Sequence, residues 1–127
     1  MTPSSRKGSR SERELINYFS QKGFSVIRAA GSGANSLSPD LLAFKAGKQY
    51  AIECKAHEGK YLHIQRKQFL LLKSWEENTG ITTYIAWRVS RAGWFFLFPS
   101  YFRENKDSYS ISFAEAERLG KRKEELV

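Results

Sequence analysis

The sequence predicts a mixed α/β fold, in which helices flank one five-stranded β-sheet. Two observations predict it: stretches with apolar residues at helical spacing alternate with short runs rich in β-branched and aromatic residues, and glycine or proline separates most of them. A length of 127 residues fits one domain, 1–127. With 41% hydrophobic and 14% aromatic residues, the chain can bury a core, which excludes wholesale disorder.

The N-terminal quarter predicts a helix and a strand. Residues 1–8 are polar and basic without an apolar core, so we expect a flexible basic arm and no secretory signal. A helix over 9–22 follows, which a Ser-x-x-Glu capping box at its first serine, or equally at Ser11, would begin. A strand over 24–30 then leads into a flexible polar loop over 31–36.

The remaining elements are two hairpins, two helices and a short strand. The predicted strands cover 40–46, 49–55, 82–89 and 94–98, with a short one near Tyr109, and the predicted helices cover 65–78 and a segment that Ser112 caps through Glu115. We expect residues 57–60 to form a loop and residues 121–127 to fray.

The first hairpin brings three charged residues onto one face. If its turn centres on Gly47-Lys48, Asp40 lies opposite Lys55, and Glu53 is a diagonal neighbour of Asp40. Because side chains alternate along a strand, all three share a face, while Cys54 points the other way as a buried thiol. The alternative is a surface salt bridge, worth at most ~1 kcal/mol.

Such an arrangement predicts a site for a divalent metal ion. Two neighbouring carboxylates, Asp40 and Glu53, repel each other unless a cation lies between them, and hard oxygen ligands of this kind suit Mg²⁺. A bound ion polarises a phosphoryl oxygen and lowers the pKa of a coordinated water. Lys55 would point at the same place, where it could steady the attacking hydroxide or offset charge on a phosphate.

A third carboxylate, Glu12, lies on the apolar stripe of the first helix. Leu15, Ile16 and Phe19 follow it by three, four and seven residues. A carboxylate that faces a core is costly unless a cation meets it. The alternative is that Glu12 only closes the capping box at the rim of the helix.

The charge of the chain favours a polyanionic partner. Lys and Arg number 21 against 13 Asp and Glu, a net charge of +8, and half of this excess lies in residues 1–28. Nucleic acid is therefore the expected partner, and the alternative is a solvated basic surface.

No apolar run reaches the ~20 residues that span a bilayer, so we expect no membrane partner. A single cysteine excludes an internal disulfide framework and a cysteine-based zinc site, and it favours the reducing cytoplasm.

Several motifs together resemble a known family. Pro39-Asp40, followed by Glu53-Cys54-Lys55, resembles the PD-(D/E)xK nuclease signature. The run from Arg6 to Ser9, Glu12-Arg13-Glu14-Leu15, the run from Gly23 to Arg28, and Gly31-Ser32-Gly33 are more specific, and they are similar to those of the archaeal-type Holliday-junction resolvases. The resemblance covers residues 6–100.

The resemblance implies a restriction-endonuclease-like core and a homodimeric, Mg²⁺-dependent endonuclease that cuts two opposed strands of a four-way DNA junction symmetrically. It implies metal binding by Glu12, Asp40 and Glu53, assistance to the nucleophile by Lys55, a catalytic role for Ser32, DNA contacts by Arg6, Lys7, Arg10, Arg13 and Arg28, and a supporting position behind the metal ligands for Gln68.

Two further expectations concern assembly and alternative functions. The helix over 65–78 carries more apolar surface than one face needs, and the strand over 94–98 is apolar on both faces, which indicates either a central strand or burial against a partner. A two-fold homodimer would cover the excess. The alternatives to junction resolution are a related nuclease for flaps, nicks or foreign DNA, and a non-catalytic architectural DNA-binding protein.

Overall fold

A computed structural model describes residues 3–29 and 38–127 and shows a mixed five-stranded sheet with helices on both faces, which confirms the predicted fold class. The helices are α1 (Pro3–Gln21), α2 (Arg66–Thr79) and α3 (Phe113–Leu119). The strands are β1 (Ser25–Arg28), β2 (Leu41–Lys45), β3 (Lys48–Ala56), β4 (Tyr61–Gln65), β5 (Thr82–Val89), β6 (Gly93–Leu97), β7 (Arg103–Glu104) and β8 (Ser108–Ser112). Single turns of 3₁₀-helix cover Pro99–Tyr101 and Lys123–Leu126.

The large sheet has the order β1-β2-β3-β5-β6. Neighbouring strands are antiparallel except β3 and β5, which are parallel and joined by a crossover through β4 and α2. A second sheet has three strands in the order β4-β8-β7, and its Leu62, Ile64 and Ile111 pack in the same core cluster as Ile85 and Trp87 of β5. The sequence did not indicate β4, because its five residues run into α2 without a turn residue between them.

Alternation along the central strands divides the core into two clusters. On one face, α1 buries Leu15 and Phe19 against Ile52 of β3 and other residues of that side. On the opposite face, α2 and α3 cover Ile85 and Trp87 of β5. Residues of β3 that follow one another therefore face different helices, and this decides which side chains can reach α2.

The start of α1 differs from the prediction. The helix begins at Pro3, so residues 3–8, which were predicted to form an arm before it, belong to α1, and neither proposed capping box begins the helix. Proline suits the first turn of a helix, where its missing N–H is not needed. Met1 and Thr2, and the whole of the loop predicted over 31–36, lie outside the described residues.

The turn between β2 and β3 also differs from the prediction. Lys45 pairs with Lys48, so the turn residues are Ala46 and Gly47 rather than Gly47 and Lys48. Gly47 has a φ of 80°, a left-handed conformation that favours glycine. The register is consequently shifted by two residues, which changes the cross-strand partners but keeps every side chain on its predicted face.

The C-terminal segment is ordered, so the predicted fraying is wrong. Lys121 and Phe96 exchange two backbone hydrogen bonds, of 2.8 and 2.9 Å, and Leu126 is 1% exposed. This segment and α3 cover the two faces of β6, which is an edge strand. The apolar character of β6 therefore reflects burial within one chain, not a central position in the sheet.

Candidate active site

Two carboxylates meet at the end of the sheet where β2 begins. Asp40 directly precedes β2, and the β2–β3 register, continued by one residue, places it opposite Glu53 rather than opposite Lys55. The backbone N–H of Cys54 donates to Oδ2 of Asp40 at 2.9 Å and fixes this carboxylate against β3. Cys54 itself packs against the α1 side of the core, as predicted from strand alternation.

Gln68 connects the second carboxylate to a lysine. It lies in the first turn of α2, donates from Nε2 to Oε2 of Glu53 at 2.7 Å, and accepts from Nζ of Lys55 at 3.0 Å. Lys55 Nζ is also 3.9 Å from Oε2 of Glu53. Because Glu53 and Lys55 are two residues apart on β3, both face α2, and one amide side chain orients both.

The electrostatics show two acidic groups held in an environment that disfavours negative charge. Burial, and next the charge of Asp40, raise the pKa of Glu53 to about 8. The pKa of Asp40 is also raised, chiefly by burial and further by the charge of Glu12, although the hydrogen bond from Cys54 opposes this. In the absence of a cation, the pair therefore retains a proton near neutral pH.

Glu12 lies near this pair but is bonded to an arginine. Its Oε1 accepts from Nε of Arg28 at 3.0 Å, and its charge contributes to the raised pKa values of both Asp40 and Glu53. Within residues 3–29 and 38–127, no group of three His, Cys, Asp or Glu side chains has a metal-holding arrangement. The structure thus pairs Asp40 with Glu53 and leaves Glu12, whose Oε1 is bonded to Arg28, outside a three-ligand arrangement among the described residues.

The structure describes only some of the other predicted site residues. Arg10 and Arg13 lie exposed on α1, and the side chain of Arg28 is 59% exposed. Arg6 and Lys7 lie on the first turns of α1, where side chains are outside the description, and Ser32 lies outside the described residues altogether. The DNA-contact and catalytic roles of these residues stay predictions.

One cluster at the same end of the sheet was not indicated by the sequence. Glu14 of α1 accepts from the indole N–H of Trp94 at 2.6 Å and from Nε of Arg88 at 3.2 Å. Arg88 lies near the end of β5, in register with Ala56 at the end of β3. The partners are 74 and 80 positions apart in sequence, so no local spacing could have revealed them.

The donor set fits a hard divalent cation. Asp40 and Glu53 are carboxylates, which supply the oxygen ligands that Mg²⁺ and similar ions prefer. Each has one oxygen on a protein donor, and a carboxylate has further lone pairs for a metal ion. A cation would also offset the burial and the neighbouring negative charges, Glu12 for Asp40 and Asp40 and Glu12 for Glu53, that raise the two pKa values.

The fold and this Asp–Glu–Lys arrangement define an α/β nuclease. The family model for the archaeal Holliday junction resolvase (Hjc) matches residues 3–123, so the chain belongs to the archaeal Holliday junction resolvase family. It is therefore a DNA endonuclease that resolves four-way junctions, and the family implies dependence on a divalent metal ion.

Known proteins agree with this assignment. The chain is 32% identical to the crossover junction endodeoxyribonuclease Hjc of Sulfolobus acidocaldarius over 124 residues, which cover 95% of this chain and 86% of the relative. It is 30% identical to the enzyme of the same name from Archaeoglobus fulgidus, over 91% of this chain and 90% of that one.

Solved structures show the same relationship. The structure of Archaeoglobus fulgidus Hjc matches with a TM-score of 0.82 at 27% identity, over 94% of this chain and 93% of that one. The bacterial homing endonuclease I-Ssp6803I matches with a TM-score of 0.54 at 11% identity, over 88% of this chain and 77% of that one, and it shares the fold alone. No helix in the described part of the chain is long and apolar enough to cross a membrane.

Proposed function

We propose that the chain acts as a homodimer that uses Mg²⁺, held by Asp40 and Glu53, to cut two opposed strands of a four-way DNA junction symmetrically. The observation that carries this proposal is the pair of carboxylates, a buried Glu53 and a half-buried Asp40, whose environment favours a bound cation; Gln68 links Glu53 to Lys55. The cytoplasmic location predicted from the single cysteine stays a prediction.

Each residue of the site has a different role in the proposed reaction. Asp40 and Glu53 would hold the ion, with Glu12 as a third ligand if its carboxylate moved towards them. When bound, Mg²⁺ polarises a phosphoryl oxygen and lowers the pKa of a coordinated water. Lys55, held by the amide oxygen of Gln68, places an ammonium group beside these carboxylates, where it offsets the charge that develops on the scissile phosphate.

Binding of the substrate rests on different groups. Arg10 and Arg13 are exposed cations on α1, and Arg28 is an exposed cation at the end of β1 that bonds to Glu12 and whose charge opposes the burial that raises the pKa of Asp40. Such groups neutralise phosphates without reading sequence, which suits an enzyme that recognises branched DNA by shape. Family membership favours this function over a nuclease for flaps or foreign DNA, and the retained carboxylates disfavour a purely architectural role.

The first test is metal-dependent cutting of an immobile four-way junction. We expect paired nicks at opposed positions when Mg²⁺ is present and none when EDTA removes divalent ions. Because Glu53 must lose a proton to bind the ion and its pKa is about 8, the half-saturating Mg²⁺ concentration should fall as pH rises and level off above that value. Below it, each pH unit should change this concentration by about tenfold.

Rates at a series of Mg²⁺ concentrations, measured between about pH 6 and pH 9, check both parts. Cutting in EDTA would contradict the metal requirement. A half-saturating concentration that does not change with pH would contradict the assignment of the titrating ligand to Glu53. Flap, nicked and linear DNA of matched sequence serve as control substrates, and preferential cutting of a flap would support the alternative nuclease function.

The homodimer is supported by an uncovered apolar surface. On the α2 side of the large sheet, β1 and β2 present Ile27, which is 56% exposed, and the half-buried Leu42 and Phe44. Neither Leu42 nor Phe44 belongs to the two core clusters. On α2, Leu70 is 46% exposed, and the indole N–H of Trp75 is buried without a hydrogen-bond partner among the described residues.

Light scattering at micromolar concentration should give twice the chain mass of 14.6 kDa. Leu70→Glu places a charge on the surface that the partner would cover, so we expect it to shift the protein towards the monomer. Lys106→Glu, an exposed change in the β7–β8 turn, is the matched control and should leave the mass unchanged. A wild-type monomer under these conditions would refute the dimer.

A further inference from the structure

The outer face of β4 forms an exposed surface next to the active site. Leu62 and Ile64 point into the core and are 2% and 1% exposed, whereas Tyr61, His63 and Gln65 face solvent. We call these three residues the β4 ledge. Strand alternation thus gives β4 one buried apolar face and one free face.

The composition of the ledge is suited to nucleic acid. Tyr61 is 54% exposed, and its ring lies 6.1 Å from that of His63. Exposed lysines flank the ledge at both ends, Lys60 before it and Lys67 after it. None of the solvent-facing residues from 60 to 67 is acidic, so this stretch combines aromatic faces with positive charge, as surfaces that stack bases do.

The ledge is also joined directly to the catalytic residues. Gln65 ends β4, and Gln68, three residues later in the first turn of α2, bonds to both Glu53 and Lys55. A five-residue strand spans about 17 Å, roughly five base steps of 3.4 Å. Tyr61 lies at the end of β4 away from Gln65, so DNA bound at the metal site would reach it about five base steps along.

We propose that the β4 ledge recognises the branch point of the junction, with Tyr61 stacked on a base that the crossover leaves without a stacking neighbour. Lys60 and Lys67 bind the flanking phosphates. Linear duplex has no such base in its interior, so this contact discriminates branched from unbranched DNA. The inference rests on the junction-resolving activity and adds to it a group that selects the substrate.

The test compares Tyr61→Ser with Tyr61→Phe, which keeps the ring. Binding is measured without Mg²⁺ to an immobile four-way junction that carries 2-aminopurine at the branch point, to the same junction labelled in the middle of one arm, and to linear duplex. We expect Tyr61→Ser to lose about tenfold or more in affinity for the junction, as for loss of one stacked base, and to bind duplex as wild type does. Tyr61→Phe should behave as wild type.

Two further measurements distinguish base stacking by Tyr61 from phosphate binding by Lys60. Wild-type protein should change the 2-aminopurine emission at the branch point and not in the arm, a result that needs no variant to fold. Lys60→Ala should reduce the dependence of log affinity on log salt by about one ion, whereas Tyr61→Ser should leave that slope unchanged.

Equal losses on junction and duplex, unaltered junction binding by Tyr61→Ser, or emission changes confined to the arm would each overturn the inference. Cutting of the junction by wild type is recorded in parallel with Mg²⁺. If wild type does not cut, the proposed function fails; if it cuts while Tyr61→Ser binds normally, only the role of the ledge fails.

Discussion

Asp40→Asn is expected to lower the rate of junction cleavage by about 10³-fold or more while junction affinity changes by less than about threefold. Loss of the ion's charge stabilisation is worth several kcal/mol, and about 4 kcal/mol corresponds to this factor. Asparagine keeps an oxygen that can accept from the backbone N–H of Cys54, so the start of β2 should be preserved. Affinity should persist because we propose that the exposed arginines, rather than the carboxylates, bind the phosphates.

Glu53→Gln should have the same effect, because either carboxylate alone offers too little charge to hold the ion. Single-turnover cleavage of a labelled junction gives the rate, and a gel-shift titration gives the affinity. Asp107→Asn, an exposed change in the turn before β8, is the control and should cut as wild type does. A rate within tenfold of wild type for both site variants would mean that the metal is held elsewhere.

Thermal melting in EDTA checks that these variants fold. The direction of the change in melting temperature also tests whether Asp40 and Glu53 repel each other. The folded-state pKa of Glu53, about 8, lies above its unfolded value, so its favourable contribution is present at acid pH and is lost as pH rises through 8. Either substitution removes one of the two repelling charges. At pH 8 without metal, we therefore expect both variants to melt no lower than wild type.

The sequence predicted correctly on which face of the sheet each site residue lies, but it did not predict the cross-strand partner of each residue. The β2–β3 turn was placed one residue too far along the chain, which shifted the register by two, but an even shift keeps Asp40, Glu53 and Lys55 on one side of the sheet. An odd shift would have moved Asp40 to the other face and removed the site. Alternation is a local property that the sequence carries, whereas the register depends on a turn that several residue pairs could form.

The features that the sequence did not predict depend on long-range contacts. β4 acquires its partners from β8, more than forty positions later, and the C-terminal segment is ordered by a bridge between Lys121 and Phe96. A separate difference is that α1 begins at Pro3, before the serines that resembled caps. Glu12 was expected beside a cation, and in the structure its Oε1 accepts a hydrogen bond from Nε of Arg28, 16 positions later.

Gln68→Leu is expected to reduce the maximal cleavage rate by about 10- to 100-fold, the usual cost of losing a group that orients a metal ligand. Leucine fills a similar volume but neither donates to Glu53 nor accepts from Lys55. Losing a donor to a carboxylate destabilises its charged form, so the pKa of Glu53 should rise further and the alkaline rise of the rate should move to higher pH. A purely structural role would lower the rate without moving the pH profile.

Two companion variants sharpen this expectation. Gln68→Glu retains an acceptor for Lys55 but adds a negative charge beside Glu53, so the pH profile should shift in the same direction as for leucine, and further. Gln49→Leu, an exposed change near the opposite end of β3, should leave both rate and profile unchanged. If Gln68→Leu cut as wild type does across the pH range, Glu53 and Lys55 would be oriented by β3 alone, and α2 would serve the site only as packing.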